Sequence, residues 1–258
     1  MRIACLLVAD LPLAAELRAH PELRGAPLAI ASGTGSRAEI LAISPEAARS
    51  GVRPFTAVVH GRAACAELCV RVASPALGRA ARDALLDAAL STSPRAEAAP
   101  LCSGIYTTEA AVYVDARGIS SLFHSEAGFA GALIARAEKL GLPAVVAIAS
   151  SRGVAHIAAR KCAGTPGATE VISPGDDAAF LAPLPIDLLN PEDELAESLT
   201  RFGIHRVQDL TRIPESALVT RLGGGARKLL TLARSKESDP PVPTPSRTHF
   251  EAVSYTHL

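Results

Sequence analysis

The stretch IYTTEAAVYVDARGISSLF, residues Ile105–Phe123, decides how the rest of the chain is arranged. Its pattern predicts the end of one strand at Ile105–Thr107, a tight turn at Thr108–Glu109, and a second strand at Ala110–Val114 that closes on Asp115. Runs that are apolar on both faces precede and follow it, so we expect this hairpin in the interior of a sheet. In an enzyme built on such a sheet, this interior is where the reactive carboxylates would stand.

The segments around the hairpin predict a split βαβ, or ferredoxin-like, arrangement. A strand opens the chain, a long amphipathic helix precedes the hairpin, and a helix and a strand follow it: Arg2–Val8, Pro75–Ser91, Glu126–Leu140 and Pro143–Ala149. The segment 11–70 is then an insertion after the first strand, with short strands at Pro27–Ala31 and Glu39–Ile43. It also carries the patterns of short helices, one of them predicted at Ala57–Leu68.

The pattern changes near Pro174, where strand signals stop and short helices follow. A proline-rich linker, DPPVPTP, comes after these helices, and the last residues, Val253–Leu258, resemble non-native read-through sequence. We therefore expect the tail to be no part of the fold and the natural chain to continue beyond Pro245.

Composition narrows the class of protein without identifying it. Apolar residues make up 48% of the chain, and 26 basic residues balance 26 acidic ones, so overall charge does not favour a nucleic-acid partner. The five scattered cysteines predict buried thiols in a reduced compartment rather than a zinc site. The apolar run Ile3–Ala9 predicts a buried strand, and no stretch reaches ~18 uncharged apolar residues. We expect a cytoplasmic protein with no membrane span.

Five segments, in order and at suitable spacings, resemble motifs of the Y-family of translesion DNA polymerases. They are PELRGAPLAIAS (Pro21–Ser32), SPEAARSGVRPF (Ser44–Phe55), YVDARGISSLF (Tyr113–Phe123), PAVVAIASSRGVAHIAARKC (Pro143–Cys162) and RLGGGARKLLTLAR (Arg221–Arg234). The resemblance covers residues 1 to about 237 and is most marked toward the catalytically inactive, ImuB-type branch of the family.

This resemblance implies an α+β fold with three modules. A ferredoxin-like palm would span 1–10 and 70–158, small α/β fingers would occupy 11–69, and an all-helical helix-hairpin-helix thumb would occupy 159–237. Residues 238–258 would be linker and tail. The family's fourth, DNA-gripping domain would follow the linker and is not present in this chain.

The same resemblance places apolar residues where the family holds its catalytic Mg²⁺ ions. Val8 stands at the first ligand position, and Ala110 and Ala111 stand at the Asp-Glu pair. Positions that handle the nucleotide are also changed, with Pro45, Ala48 and Leu13 at the places of a Tyr, an Arg and the aromatic sugar gate. Without carboxylates the divalent ions have no ligands, so we expect no catalytic residues, no metal site and no cofactor.

Two carboxylates near these positions leave an alternative open. Asp10 lies two residues after Val8, and Glu109 lies two residues before Ala111, so both could point to the same face and hold a displaced Mg²⁺. Each shift moves a ligand by ~6.5 Å, which is far beyond metal-ligand tolerance unless the backbone also moves. The simpler interpretation is that Asp10 caps a helix and Glu109 is a solvated turn residue.

The predicted thumb divides into an acidic and a basic half. Residues 162–200 hold eight carboxylates and no Lys or Arg, whereas residues 201–236 hold eight basic residues and two acidic ones, a net charge of +6. Gly-rich helix starts bind phosphate through backbone N–H groups, so we assign a DNA-binding role to Gly223, Gly224, Gly225, Arg227 and Lys228. The corresponding first motif reads NPED (Asn190–Asp193), whose carboxylates would repel phosphate.

Together these features predict a non-catalytic, Y-family-like accessory protein that binds damaged or primer-template DNA. By resemblance, its partners would be the sliding clamp, a replicative-type polymerase and a RecA-like protein of the SOS-type response to DNA damage. Two alternatives remain at this point: an active lesion-bypass polymerase with relocated metal ligands, and a ferredoxin-like ligand- or protein-binding module with no role on DNA.

Overall fold

The computed structural model of the chain describes residues 1–100 and 108–235. Its main sheet has five strands in the order β5-β6-β1-β7-β8. The strand bounds are β1 Ile3–Val8, β5 Ala96–Ala98, β6 Ala110–Asp115, β7 Val145–Ala149 and β8 Thr169–Val171. The pairs β5–β6, β6–β1 and β1–β7 are antiparallel, and β8 pairs with β7 in parallel. The predicted α+β class and ferredoxin-like core are confirmed.

The central strands are apolar on both faces because helices cover both sides of the sheet. Side chains of Leu6, Phe129 and Leu133 share one cluster with helices α4 (Pro75–Leu90) and α6 (Glu126–Lys139). The opposite face of the sheet packs against α7, Arg152–Lys161, and every residue of β1, β6 and β7 is buried. The sheet is therefore the middle layer of a helix–sheet–helix arrangement.

Strand β6 has an antiparallel partner, β5, that was not predicted. Ala96–Ala98 pairs with β6 in antiparallel register, a strand that the sequence pattern did not indicate. The strand predicted at Ile105–Thr107 lies outside the described residues. Strand β6 itself begins at Ala110 as predicted and lies in the sheet interior between β5 and β1. A short helix, α5 (Ser120–Phe123), follows it.

The segment inserted after β1 has its own three-stranded sheet, in the order β3-β2-β4. Its elements are α1 Leu11–Ala19, β2 Leu28–Ala31, β3 Ile40–Ile43, α2 Pro45–Arg49, α3 Val58–Ala64 and β4 Cys69–Val72. Ser44 joins these elements, because its hydroxyl accepts hydrogen bonds from Ala47 N and Leu28 N and donates one to Ala26 O. Helix α3 ends at Ala64, four residues before the predicted end.

From residue 174 to residue 235 the chain forms helices and no strand, as the sequence predicts. These helices are α8 Asp177–Leu181, α9 Asp193–Arg201, α10 Val207–Thr211 and α11 Glu215–Ala233, with a 3-10 turn at Ile186–Leu189. Leu199, Leu210 and Leu230 belong to the apolar cluster that also holds the α7 face of the main sheet. No helix within residues 1–100 and 108–235 is long and apolar enough to cross a membrane.

Candidate functional site

Val8, Ala110 and Ala111 lie at the edge of the main sheet where β1 ends and β6 begins. By resemblance, these are the positions of the family's metal ligands. Val8 lies directly opposite Ala110, and Leu7 lies opposite Ala111. The exposed fractions of Val8, Ala110 and Ala111 are 1%, 2% and 3%, and these residues belong to apolar clusters on the two faces of the sheet. Divalent cations such as Mg²⁺ require oxygen ligands, and these side chains offer none. The residues present at this edge do not fit the metal.

The positions that correspond to nucleotide-handling residues also lack suitable groups. Pro45 begins α2, Ala48 is exposed on the same helix, and Leu13 is buried in α1. None of these side chains carries a charge or a hydrogen-bond donor that would bind a triphosphate.

Asp10 and Glu109 are held in ways that the sequence did not predict. Asp10 precedes α1, and its backbone oxygen accepts a hydrogen bond from Ala14 N at 2.9 Å, but its side chain makes no capping bond. The prediction of a side-chain cap is wrong. Leu11 N donates to Thr108 O at 2.9 Å, which ties the start of α1 to the turn before β6. The prediction that Glu109 is solvated is also wrong, because its side chain is only 17% exposed.

Glu109 forms the centre of a half-buried polar network beneath α7. Its carboxylate accepts hydrogen bonds from Arg160 Nη2 at 2.5 Å and Arg160 Nε at 3.0 Å, and lies 2.9 Å from His156 Nε2. The other ring nitrogen of His156, Nδ1, lies 2.7 Å from the Tyr113 hydroxyl. Burial opposes ionisation of Glu109, but hydrogen bonds and charge attraction from His156 and Arg160 outweigh it and lower the pKa of Glu109 to about 2. The carboxylate is therefore ionised, and each of its oxygens has a protein partner.

This network bears on the alternative in which Asp10 and Glu109 hold a displaced Mg²⁺. Both oxygens of Glu109 accept hydrogen bonds from Arg160, and Oε1 also lies within hydrogen-bond distance of His156, so the Arg160 guanidinium neutralises the charge of this carboxylate. Across residues 1–100 and 108–235, no three His, Cys, Asp or Glu side chains are grouped so that they could hold a metal ion.

One feature of the sequence indicates this network but did not enter the predictions. His156 and Arg160 are spaced four residues apart and so lie on one side of α7, the helix that packs on the sheet. Two polar residues on the sheet-facing side of a helix require partners, and Glu109 supplies them.

The predicted DNA-binding residues lie at a break in α11. Gly223 has a φ of 76° and interrupts the helix, so a new helical segment begins after it. A Cβ atom on Gly223 or Gly224 would meet nothing within 4 Å, which means that the backbone here faces open space. A Cβ on Gly225 would meet Leu195 Cδ2 at 3.6 Å. The structure thus places two of the three glycines where another molecule can approach their backbone closely.

The two predicted cations differ in their surroundings. Arg227 Nε lies 3.2 Å from Glu215 Oε1, with the two side chains 63% and 49% exposed. Exposed pairs of this kind contribute less than about 1 kcal/mol, so Arg227 remains able to exchange this partner for a phosphate. Lys228 is exposed and forms none of the ion pairs found among the described residues.

The first predicted thumb motif is acidic in the structure as well. Asn190 adopts a left-handed conformation with φ of 52°, and Glu192 precedes α9 without a side-chain capping bond. Asp193 and Glu194 lie in the first turn of α9, where the helix dipole favours carboxylates. These negative charges occupy the helix start at which a phosphate would otherwise bind.

Sequence comparison assigns the chain to a known family. The profile of the impB/mucB/samB family (IMS) matches residues 11–160. Protein ImuB of Caulobacter vibrioides is 32% identical over 149 residues, which cover 58% of this chain and 30% of that protein. DNA polymerase IV of Pseudomonas entomophila is 30% identical over 226 residues, covering 86% of this chain and 60% of that protein. The chain thus spans about a third to three fifths of the length of these relatives.

Solved structures give the same fold. The insertion ternary complex of Dbh DNA polymerase superposes with a TM-score of 0.75 at 22% identity, covering 93% of this chain and 69% of that one. DinB from Sulfolobus solfataricus superposes with a TM-score of 0.69 at 21% identity, with the same coverage. The fold is that of a Y-family DNA polymerase. The chain belongs to the impB/mucB/samB family.

Proposed function

We propose that this chain is the polymerase-like part of a non-catalytic accessory protein of DNA repair and translesion synthesis. The observation that carries the proposal is the apolar edge formed by Val8, Ala110 and Ala111, each at most 3% exposed. A two-metal phosphoryl transfer needs carboxylates from adjacent strand ends at this edge. Glu109, the carboxylate next to β6, is engaged by His156 and Arg160 instead.

The protein would bind damaged or primer-template DNA through the α11 surface. Open backbone at Gly223 and Gly224 and the exposed cations Arg227 and Lys228 support phosphate contact at this helix start. Gly225 is the third residue of the same turn. Binding at this surface needs no divalent ion, so we expect it to persist when metal is removed.

In the full-length protein we further propose an adaptor role during the SOS-type response to DNA damage. The partners would be the sliding clamp, a replicative-type polymerase and a RecA-like protein. The similarity to Protein ImuB supports this assignment over a stretch that covers 58% of this chain. Co-purification of these three proteins with the full-length gene product tests it, and their failure to associate would contradict it.

Primer extension tests the loss of catalysis. Template, primer, four nucleotides and Mg²⁺ or Mn²⁺ are supplied on undamaged and damaged templates, with an active DNA polymerase of the family as positive control. We expect no template-dependent incorporation, while fluorescence anisotropy shows the primer-template bound equally in Mg²⁺ and in EDTA. Incorporation that Asp10→Ala or Glu109→Ala abolishes would establish relocated ligands and refute the proposal. Absence of any salt-sensitive DNA binding would instead favour a module with no role on DNA.

A further inference from the structure

Phe55 is an exposed aromatic residue held in an unfavourable backbone conformation. Its φ is 60°, in the left-handed region that favours glycine, and 69% of the residue is exposed. Two hydrogen bonds fix this conformation, from Phe55 N to Ile40 O at 2.7 Å and from Ile40 N to Thr56 O at 2.8 Å. Core packing does not account for a strained aromatic that points into solvent, and such outliers concentrate at sites of function.

The surroundings of Phe55 are apolar and positively charged. Segments 36–40 and 53–62 lie side by side, joined by hydrogen bonds from Val58 N to Ala38 O and from Val59 N to Ser36 O, each 2.9 Å. Val59 is 49% exposed on the same surface. We call these two segments the Phe55 surface.

Three arginines on the Phe55 surface are exposed and take part in none of the ion pairs among the described residues: Arg37, Arg53 and Arg62. Glu39 is the single carboxylate on the two segments. Their charge is therefore net positive and available to an anionic partner.

We propose that the Phe55 surface binds unpaired bases of single-stranded DNA, with Phe55 as the stacking platform. Every base has a π-face that stacks on an aromatic ring, and neighbouring guanidinium groups contact the phosphates between bases. A purely apolar protein ligand would have no use for three uncompensated arginines, whereas a DNA strand neutralises them. The inference deepens the proposed function and rests on it, since it adds single-strand contact on the inserted sheet to duplex contact at α11.

Substitution of Phe55 by glycine separates stacking from folding. Phe55→Gly removes the ring and relieves the left-handed strain, so the variant should fold at least as stably as the parent. Phe202→Ala is the matched control, because Phe202 is also an exposed aromatic, 55% exposed, but lies at the end of α9. The probe is a single-stranded oligonucleotide with one 2-aminopurine, whose fluorescence reports stacking directly, together with a fluorescein-labelled duplex.

We expect Phe55→Gly to weaken single-strand affinity by about tenfold and to abolish the 2-aminopurine stacking signal. Duplex affinity should change by less than about twofold, and Phe202→Ala should match the parent in both assays. Unchanged single-strand affinity and fluorescence in Phe55→Gly, with duplex binding intact, would overturn this inference and leave the proposed function standing. If the parent binds neither oligonucleotide, both proposals are wrong.

Discussion

Removal of Arg160 tests whether the network around Glu109 stabilises the sheet edge formed by Val8, Ala110 and Ala111. Arg160→Met leaves the Glu109 carboxylate, which is 17% exposed in the parent, with His156 as its remaining partner and also removes a 3.5 Å contact to Leu188 O. Although burial opposes ionisation, His156 and Arg160 together lower the pKa of Glu109 from its ordinary value of 4.5 to about 2, a difference that corresponds to at most about 3 kcal/mol of stability shared between the two partners. Breaking a buried pair costs about 3–5 kcal/mol, so at partial exposure we expect a loss of about 2–3 kcal/mol.

The assay is urea unfolding at pH 7, followed by far-UV circular dichroism, for Arg160→Met, Glu109→Gln and the double variant. The two costs should not add, with a coupling energy above about 1 kcal/mol because the residues share one contact. Arg201→Met is the matched control, since the Arg201–Glu197 pair is 3.9 Å apart and 77% and 76% exposed. It should cost less than about 0.5 kcal/mol. Costs below about 0.5 kcal/mol that add in the double variant would refute the network's structural role.

The same network determines how the stability of the protein changes at acid pH. A carboxylate whose pKa is lowered by folding stabilises the protein above its unfolded pKa, here about 4.5. This contribution disappears as the pH falls from about 4.5 through about 2. The parent should therefore lose stability over that interval more steeply than Glu109→Gln, as measured by urea midpoints at each pH. Parallel pH profiles for the two proteins would contradict the lowered pKa.

Three further outcomes follow from other parts of the molecule. Arg227→Glu with Lys228→Glu should weaken duplex binding and reduce the slope of log K against log salt concentration by about 2. The control Arg79→Glu, which changes an exposed cation on α4, should leave both quantities unchanged. Equal slopes for the double variant and the parent would exclude phosphate contact at α11. Millimolar Mg²⁺ should leave the thermal midpoint of the parent unchanged, because a ligand stabilises only a fold that binds it; a concentration-dependent rise would reveal a metal site. Gly128→Ala should destabilise the protein by about 1–2 kcal/mol, because its Cβ would stand 2.5 Å from Phe123 O. Gly131→Ala on the same helix would meet nothing within 4 Å and should stabilise the protein by up to about 1 kcal/mol; urea midpoints measure both changes.

The sequence predicts a feature best where the residues of a single element are enough to determine it. Strands β1 and β7 read as continuous apolar runs because helices cover both of their faces, and that pattern is visible without knowing the partners. The break at Gly223 was likewise predictable, because a run of three glycines cannot sustain a helix as well as its neighbours do. Local pattern was enough for these features.

Features that depend on distant pairs were not accessible in the same way. Strand β5 has three residues, one of them Glu97, and becomes a strand only by pairing with β6. Glu109 is separated from His156 and Arg160 by 47 and 51 positions, so the pattern around it is that of a polar turn. Its partners are identified only when α7 is laid against the sheet.

The network also makes a single carboxylate substitution at the sheet edge an unfavourable way to build a metal site. A carboxylate at Ala110 would face Val8 across the strands in a place that is at most 2% exposed. Such a buried charge is strongly destabilising until a second ligand and a metal arrive to neutralise it. Glu109 cannot supply that second ligand while Arg160 and His156 hold it, because releasing it would remove the carboxylate from the Arg160 guanidinium. Several positions would have to change together, and each intermediate step would cost stability.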